Sequence, residues 1–262
     1  MQQHDCSQES AGIYPRQRLK KVISFSLWSN SKQYCCGAIQ NARLAKTLFS
    51  DWTTRFYCAD DVPKRVVDDL KAEGAEIMPE HTGVGFVGLF WRLKVADDPY
   101  VDRFIVRDTD SRLTPRDAAC VKEWEESGLP CHIIRDCESH GGWMLGATFG
   151  MVNSFLPEVC HTTMQELIVE FWEDWYVGLT EHGYESDRGK FYGVDQEFLS
   201  RKIWPLIEHR HLAHDQHFHF TGKEKPFPIQ REYLKDMSKA KEFYIGQIVN
   251  LEPEYDNYDM GV

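Results

Sequence analysis

Four short apolar runs, separated by helical patterns, dominate the first part of the chain: KVISFSLW (21–28), TRFYCA (54–59), AEIMP (75–79) and DRFIV (102–106). Between the first two, Ala38, Ala42, Ala45 and Leu48 recur on one helical face. After the second run, Pro63 opens a helix that carries Val66, Val67 and Leu70, and Gly74 closes it. Strands joined through helices cannot pair as hairpins. Parallel pairing is therefore predicted, and with it a Rossmann-like half.

Beyond residue 106 the signals become mixed. Thr114-Pro115-Arg116-Asp117 is a helix start with a hydroxyl cap, a proline at the first position and a carboxylate at the third; that helix runs to Gly128. CHIIR (131–135) and GATFGMV (146–152) are strand candidates. A long helix follows with Met164, Leu167, Ile168, Phe171 and Trp175 at helical spacing, and these are assigned to the core. The aromatics of FWEDWY (171–176) could also offer a stacking platform for a ligand, with core packing the favoured account of Phe171, Trp172 and Trp175. Another helix begins near Asp195 and ends at Trp204-Pro205, and last strands are expected within 211–220 and 243–249. Residues 1–19 read as a disordered leader, 20–251 as one compact domain without repeats or linkers, and 252–262 as an acidic flexible tail. The expected class is α/β, with a mixed central sheet flanked by helices.

Charge narrows the partners. Thirty Lys and Arg against 41 Asp and Glu give a net charge of −11, which repels nucleic-acid backbones and anionic membranes. A phosphate-bearing substrate must then be held locally, by metal ions and a few placed arginines. The eight cysteines form no CxxC pair and are read as free thiols in a reducing compartment. The N-terminus lacks the apolar core of a signal peptide, and no stretch is long and apolar enough to span a membrane. A soluble, cytoplasmic protein is expected.

The segment with the most chemistry is FIVRDTDSR, 104–112. A buried strand ends and at once presents Asp108 and Asp110. On an extended chain, side chains two apart point the same way, so both carboxylates would converge on one divalent cation, Mg²⁺ or Mn²⁺ by ligand type. In open α/β sheets the carboxyl end of a strand is also where ligands bind. The alternative is a solvated turn in which Asp108 or Asp110 pairs with Arg107 or Arg112.

WRLKVADDPYVDRFIVRDTDSRLTPRD followed by HIIRDCESHGGWMLGATFGM resembles a group of GT-A-type glycosyltransferases found in bacteria and large viruses. The opening ISFSLWSNSKQYCCGAIQNARLAKTLFSDW is similar to that group's first strand and helix, and GVDQEFLSRKIWPLI, His214-Asp215 and FYIGQIV follow in the same order. The resemblance spans roughly residues 21–250. It implies a GT-A-type fold, a nucleotide-sugar donor linked to UDP or GDP, a carbohydrate or glycoconjugate acceptor, and Mn²⁺ or Mg²⁺ at the DxD.

Roles divide accordingly. Asp110 would ligate the metal and Asp108 would touch the metal shell or the ribose. Ser26, Leu27 and Trp28, with Tyr34 beyond, would border the base and ribose, or else pack as an ordinary strand end. Arg92 and Arg107 are candidates for the phosphates, since guanidinium matches phosphate oxygens bidentately; each is equally suited to a structural ion pair. Asp136, with His140 in support, falls where the GT-A pattern holds the donor sugar's hydroxyls. Gly141, Gly142 and Gly146 allow close backbone approach to a sugar or a tight turn. Asp195 is either a helix N-cap or, with Gln196 beside it, the general base that an attacking hydroxyl needs when the anomeric centre inverts. Within HRHLAHDQHFHF (209–220), His214 is the candidate further metal ligand.

Two rival classes share the DxD pattern. Aspartate-nucleophile phosphatases place it on the first strand rather than about 100 residues in. A nucleotide-sugar or glycan-binding module would lack a competent acceptor side, whereas Asp136, Asp195 and His214 are all in place here.

Overall fold

In the computed structural model, residues 19–81, 86–181, 193–231 and 244–261 are described; the leader up to residue 18 lies outside them. The seven strands are β1 (Lys20–Leu27), β2 (Thr53–Ala59), β3 (Glu76–Glu80), β4 (Val101–Val106), β5 (Cys131–Arg135), β6 (Phe149–Val152) and β7 (His211–Asp215). They form one sheet in the order β3-β2-β1-β4-β6-β5-β7. The pairs β1–β2, β1–β4, β2–β3 and β5–β7 are parallel, while β6 runs antiparallel to both β4 and β5. Every strand except β6 therefore points the same way, and their carboxyl ends share one edge. The result is α/β, a Rossmann-like parallel half continued by a mixed half.

The helices are α1 (Lys32–Leu48), α2 (Lys64–Ala72), α3 (Gly88–Trp91), α4 (Pro115–Ser127), α5 (Met164–Glu181), α6 (Val194–Phe198) and α7 (Trp204–Ile207). Strand alternation sorts them into two layers. Ile23, Phe25, Phe56 and Ile105 face a core built with α1, α2 and α4. Their neighbours Val22, Phe104 and Val106 face the other core, with Phe90, Trp91, Leu167, Phe171, Phe198 and Ile203 from α3, α5 and the α6–α7 segment. Helix α4 starts as its sequence dictates: Thr114 Oγ1 accepts from the Asp117 N–H at 3.1 Å, Pro115 follows, and Gly128 ends it at φ 69°.

A strand lies within 211–220 as expected; it stops at Asp215, because its carboxylate Oδ1 turns back to accept from the His217 and Phe218 amides. Three expectations are corrected. Strand β6 begins at Phe149, not Gly146. The segment expected as a strand over 243–249 is, across its described residues 244–249, turn and loop. Its backbone donors form no ladder: Ile245 N donates to Asp136 Oδ2 at 3.0 Å and Val249 N to Asp110 O at 2.8 Å, while Gln247 N closes a turn on Tyr244 O at 3.0 Å. The acidic tail, expected to be flexible, packs on α1 and α2. Tyr255 is buried and bonded to Arg43 and Gln40, Tyr258 reaches Asp69, and Glu252 grips Arg112 through two bonds of 2.5 and 2.7 Å.

Candidate functional site

The site forms where β4 runs out. Residues 109 and 110 lie in a turn rather than on a continued strand, so the two aspartates are related by a turn and not by strand alternation. Ser111 Oγ donates to Asp108 O at 3.0 Å and closes the turn. Helix α1 holds it from below: Asn41 Nδ2 donates to Ser111 O at 2.8 Å while its Oδ1 accepts from Leu113 N at 3.0 Å. The helix can approach this closely because residue 37 is glycine; a Cβ there would stand 2.0 Å from Thr109 O. Arg112 Nη1 adds bonds to Thr109 O and Ser111 O. The carboxylates are thus mounted on a loop whose backbone is bonded on several sides.

Arg92 organises the side chains. It follows α3 directly, and Gly88 lets α3 seat against Trp28, whose ring meets Trp91 edge-on at 6.1 Å. The Arg92 backbone is fixed to β1, its N donating to Ser26 Oγ at 3.0 Å and its O accepting from Ser24 Oγ at 2.7 Å. Its guanidinium then bridges two carboxylates, Nη1 on Asp108 Oδ1 and Nη2 on Asp195 Oδ2 at 2.9 Å. Asp195 arrives from the first turn of α6; the N-cap there is Gly193, at φ 74°, so capping does not account for Asp195. Gly146 lies against it, since a Cβ at 146 would stand 2.0 Å from Asp195 Oδ2.

The electrostatics follow from burial. Burial raises the Asp195 carboxyl above its ordinary value, and Arg92 only partly offsets this. Burial, and then the charge of Asp108, push Asp110 up to about 6 against the pull of Arg92 and Arg112. Two crowded carboxylates with one proton-hungry member are a pair that a cation relieves. Among the described residues no three His, Cys, Asp or Glu side chains converge to hold a metal ion. The donor set nevertheless suits Mg²⁺ or Mn²⁺ in phosphate chemistry, where one or two carboxylates suffice and diphosphate and water oxygens complete the shell. Asp108 and Asp110 are the residues that would hold it.

Other expected residues are placed as follows. Ser26 anchors Arg92, Leu27 is buried in the α1-side core, Trp28 supports α3, and Tyr34 is 41% exposed on the first turn of α1. Arg107 takes the ion-pair alternative. It is buried, pairs with Asp117 through two bonds of 2.8 and 2.6 Å, and donates to Val106 O and Phe149 O, tying β4 to α4 and β6. Asp136 is likewise consumed: fully buried, it takes two bonds from Arg116 at 2.9 and 2.7 Å and one from the Ile245 amide. His140 packs edge-on to Tyr244 at 5.4 Å, and burial lowers its pKa to about 4, so it stays neutral. His214 is fully buried with both ring nitrogens engaged, by His132 at 2.9 Å and Glu123 at 3.0 Å, which leaves no lone pair for a metal. A run of histidines cannot tell which of them turns inward.

Several contributors were not foreseen. Asn41 and Gly37 shape the turn, and their signal is a polar residue and a glycine on the apolar face of α1. At the end of β2, Asp61 Oδ1 accepts from Ser29 N at 2.8 Å, bracing the loop after β1 with Ser29 at φ 71°. The strand-end rule, applied to β2 as well as β4, would have flagged Asp60-Asp61.

No protein-family model matches the chain, and no curated protein sequence does. Among solved structures, the chain is similar to a glycosyltransferase involved in glycosylating the major capsid of PBCV-1, at 12% identity over 75% of this chain and 81% of that one, with a TM-score of 0.44. It is also similar to a putative nucleotide-diphospho-sugar transferase from Desulfovibrio desulfuricans G20, at 11% identity over 52% and 64% of the two chains, TM-score 0.36. A mycobacterial protein gives 12% identity over 54% and 55%, TM-score 0.36. Matches this distant do not carry a donor, an acceptor or a reaction to this chain.

Proposed function

We propose that this chain is a GT-A-type glycosyltransferase, moving a sugar from a UDP- or GDP-linked donor to a carbohydrate or glycoconjugate hydroxyl. The observation that carries the reading is the Asp108–Arg92–Asp195 bridge beside Asp110, at the shared carboxyl edge of the parallel strands. Donor phosphates held at this edge would lie beside the buried Arg92 guanidinium, whose planar donors suit phosphate oxygens once Asp108 gives them up. Asp108 and Asp110 would hold a divalent cation, which would supply neutralisation of the charge that develops on the leaving diphosphate. Transfer forms a bond from the acceptor oxygen to the anomeric carbon and breaks the bond to the phosphate oxygen. The acceptor proton then needs a base. Asp195 fits that role, since burial raises its basicity and the glycine at 146 makes room for its Oδ2, which Arg92 Nη2 holds in place. The seven described cysteines are free and no helix among the described residues is long and apolar enough to cross a membrane, which suits a cytoplasmic setting.

The test is binding and hydrolysis across a nucleotide-sugar panel with Mn²⁺ or EDTA, for wild type and Asp110→Ala. One donor should bind and be slowly hydrolysed with Mn²⁺, and both effects should vanish with EDTA or in the variant. No binding of any nucleotide sugar under any metal condition would reject the reading.

A further inference from the structure

The Arg92 bridge is unequal at its two ends. Asp195 is enclosed, its side chain 6% exposed, and Gly146 sits against Oδ2; the Asp108 side chain is 40% exposed. Arg92 itself is buried, with its backbone pinned by Ser24 and Ser26, so any rearrangement is confined to its side chain. Its Nε is buried with no hydrogen-bond partner among the described residues. A buried charged donor left unsatisfied is costly and marks a group that an incoming acceptor would relieve. Asp110 lies beside Asp108, and Arg112, the other arginine acting on Asp110, is held by Glu252.

A divalent cation and a guanidinium cannot share Asp108 Oδ1 without repelling one another. We propose that Arg92 is an internal counter-ion that occupies the Asp108 carboxylate until a divalent cation displaces it, and that it then turns, still pivoting on Asp195, to the donor's phosphates. This rests on the glycosyltransferase reading and adds to it an order of events: cation and donor bind together because each removes the cost of the other. Without the exchange, a bare cation would face a carboxylate already neutralised. Metal alone therefore binds weakly, and nucleotide diphosphate strengthens it.

The consequence runs against ordinary expectation for a buried, well-bonded arginine. Deleting the guanidinium should improve metal binding while impairing nucleotide binding. The experiment titrates Mn²⁺ alone, followed by electron paramagnetic resonance of free Mn²⁺, into full-length wild type, Arg92→Met, Asp195→Asn and the double variant Arg92→Met/Asp195→Asn. UDP and GDP are then titrated in the presence of Mn²⁺. Arg92→Met should take up Mn²⁺ more tightly than wild type by about 5- to 150-fold, the usual range for coupled sites. The double variant, which leaves no unpaired charge at Asp195 and so guards against a folding defect, should exceed Asp195→Asn in the same direction. Both Arg92 variants should bind the nucleotide more weakly. Folded Arg92 variants with unchanged or weaker Mn²⁺ affinity would overturn the exchange and leave Arg92 a structural tie, with the glycosyltransferase reading intact if wild type still binds Mn²⁺ with UDP or GDP. Wild type that takes up no Mn²⁺ with either nucleotide would overturn both.

Discussion

Gly146 and Asp195 occupy one another's space: a Cβ on residue 146 would stand 2.0 Å from Asp195 Oδ2 and 3.0 Å from Arg92 Nη2. Position 146 is therefore glycine for reasons of contact, not of turn geometry. Gly146→Ala should push the carboxylate aside by about 1 Å, enough to lower turnover about 100-fold where a base must meet its proton. Overpacking should cost a further 1–3 kcal/mol or so in thermal unfolding. Unchanged donor turnover in a folded Gly146→Ala protein would remove Asp195 from the chemistry.

Asp110 makes a pH-dependent prediction with a definite sign. Its folded pKa, about 6, lies above the ordinary 3.8, so the folded state holds the proton more tightly than the unfolded chain. Ionised Asp110 thus costs stability. The cost develops as pH rises from about 4 to about 6 and is constant above, with a ceiling of about 3 kcal/mol. In EDTA, Asp110→Asn should melt higher than wild type at pH 7.5, and the two should converge near pH 4. Mn²⁺ should stabilise wild type, not the variant, and lose that effect below pH 6 as the proton competes. Equal melting at pH 7.5 would mean the carboxylate is not held at a cost.

Legibility in the sequence followed how local each cause was. The runs at β1, β2 and β4, the cap of α4 and the apolar stripe of α5 are set by residues within a turn or two of each other, and they fell where the pattern put them. The site was partly legible for the same reason: Asp108, Asp110 and Asp195 sit at element ends that can be read locally, and Arg92 was a candidate among several arginines. What could not be read was pairing. Arg107 with Asp117, and Asp136 with Arg116, are partners across 10 and 20 residues, and nothing in the chain announces that an arginine is spent inside. The same holds for 244–249, whose apolar character suggested a strand but two of whose amides, at Ile245 and Val249, are taken by Asp136 and Asp110. An apolar run records that a segment is buried; it does not record which acceptors its backbone will find.

The reassignment of Arg107 is itself testable. Removing it leaves Asp117 buried and uncompensated, so Arg107→Met should lose about 3–5 kcal/mol in denaturant unfolding. Replacing both partners, as Arg107→Met/Asp117→Leu, should recover most of that loss. Nucleotide affinity of the folded double variant should match wild type within about twofold, because the guanidinium is spent on Asp117 and two carbonyls. A large selective loss of nucleotide binding, with stability restored, would return Arg107 to the phosphate site.

The C-terminal segment carries the last prediction. Arg112 touches the site on one side, through Thr109 O and Ser111 O, and Glu252 on the other. The tail is thus a brace for the aspartate turn rather than a trailing end, and Tyr255 and Tyr258 fasten it to α1 and α2. Burial works against ionised Glu252, but the Arg112 bonds prevail and hold its carboxyl below the ordinary 4.5. A depressed carboxyl contributes stability above its unfolded pKa and loses it as pH falls through the lower folded value. Glu252→Gln should therefore destabilise by about 1–2 kcal/mol at pH 7, with the difference closing below pH 4. Truncation after Leu251 removes the tyrosines as well. It should cost more than Glu252→Gln at every pH and leave a residual loss at pH 4 that charge cannot explain. Because the turn carries Asp108 and Asp110, truncation should also weaken Mn²⁺-dependent donor binding. A truncated protein that melts and binds like wild type would show that the brace carries no strain from the site.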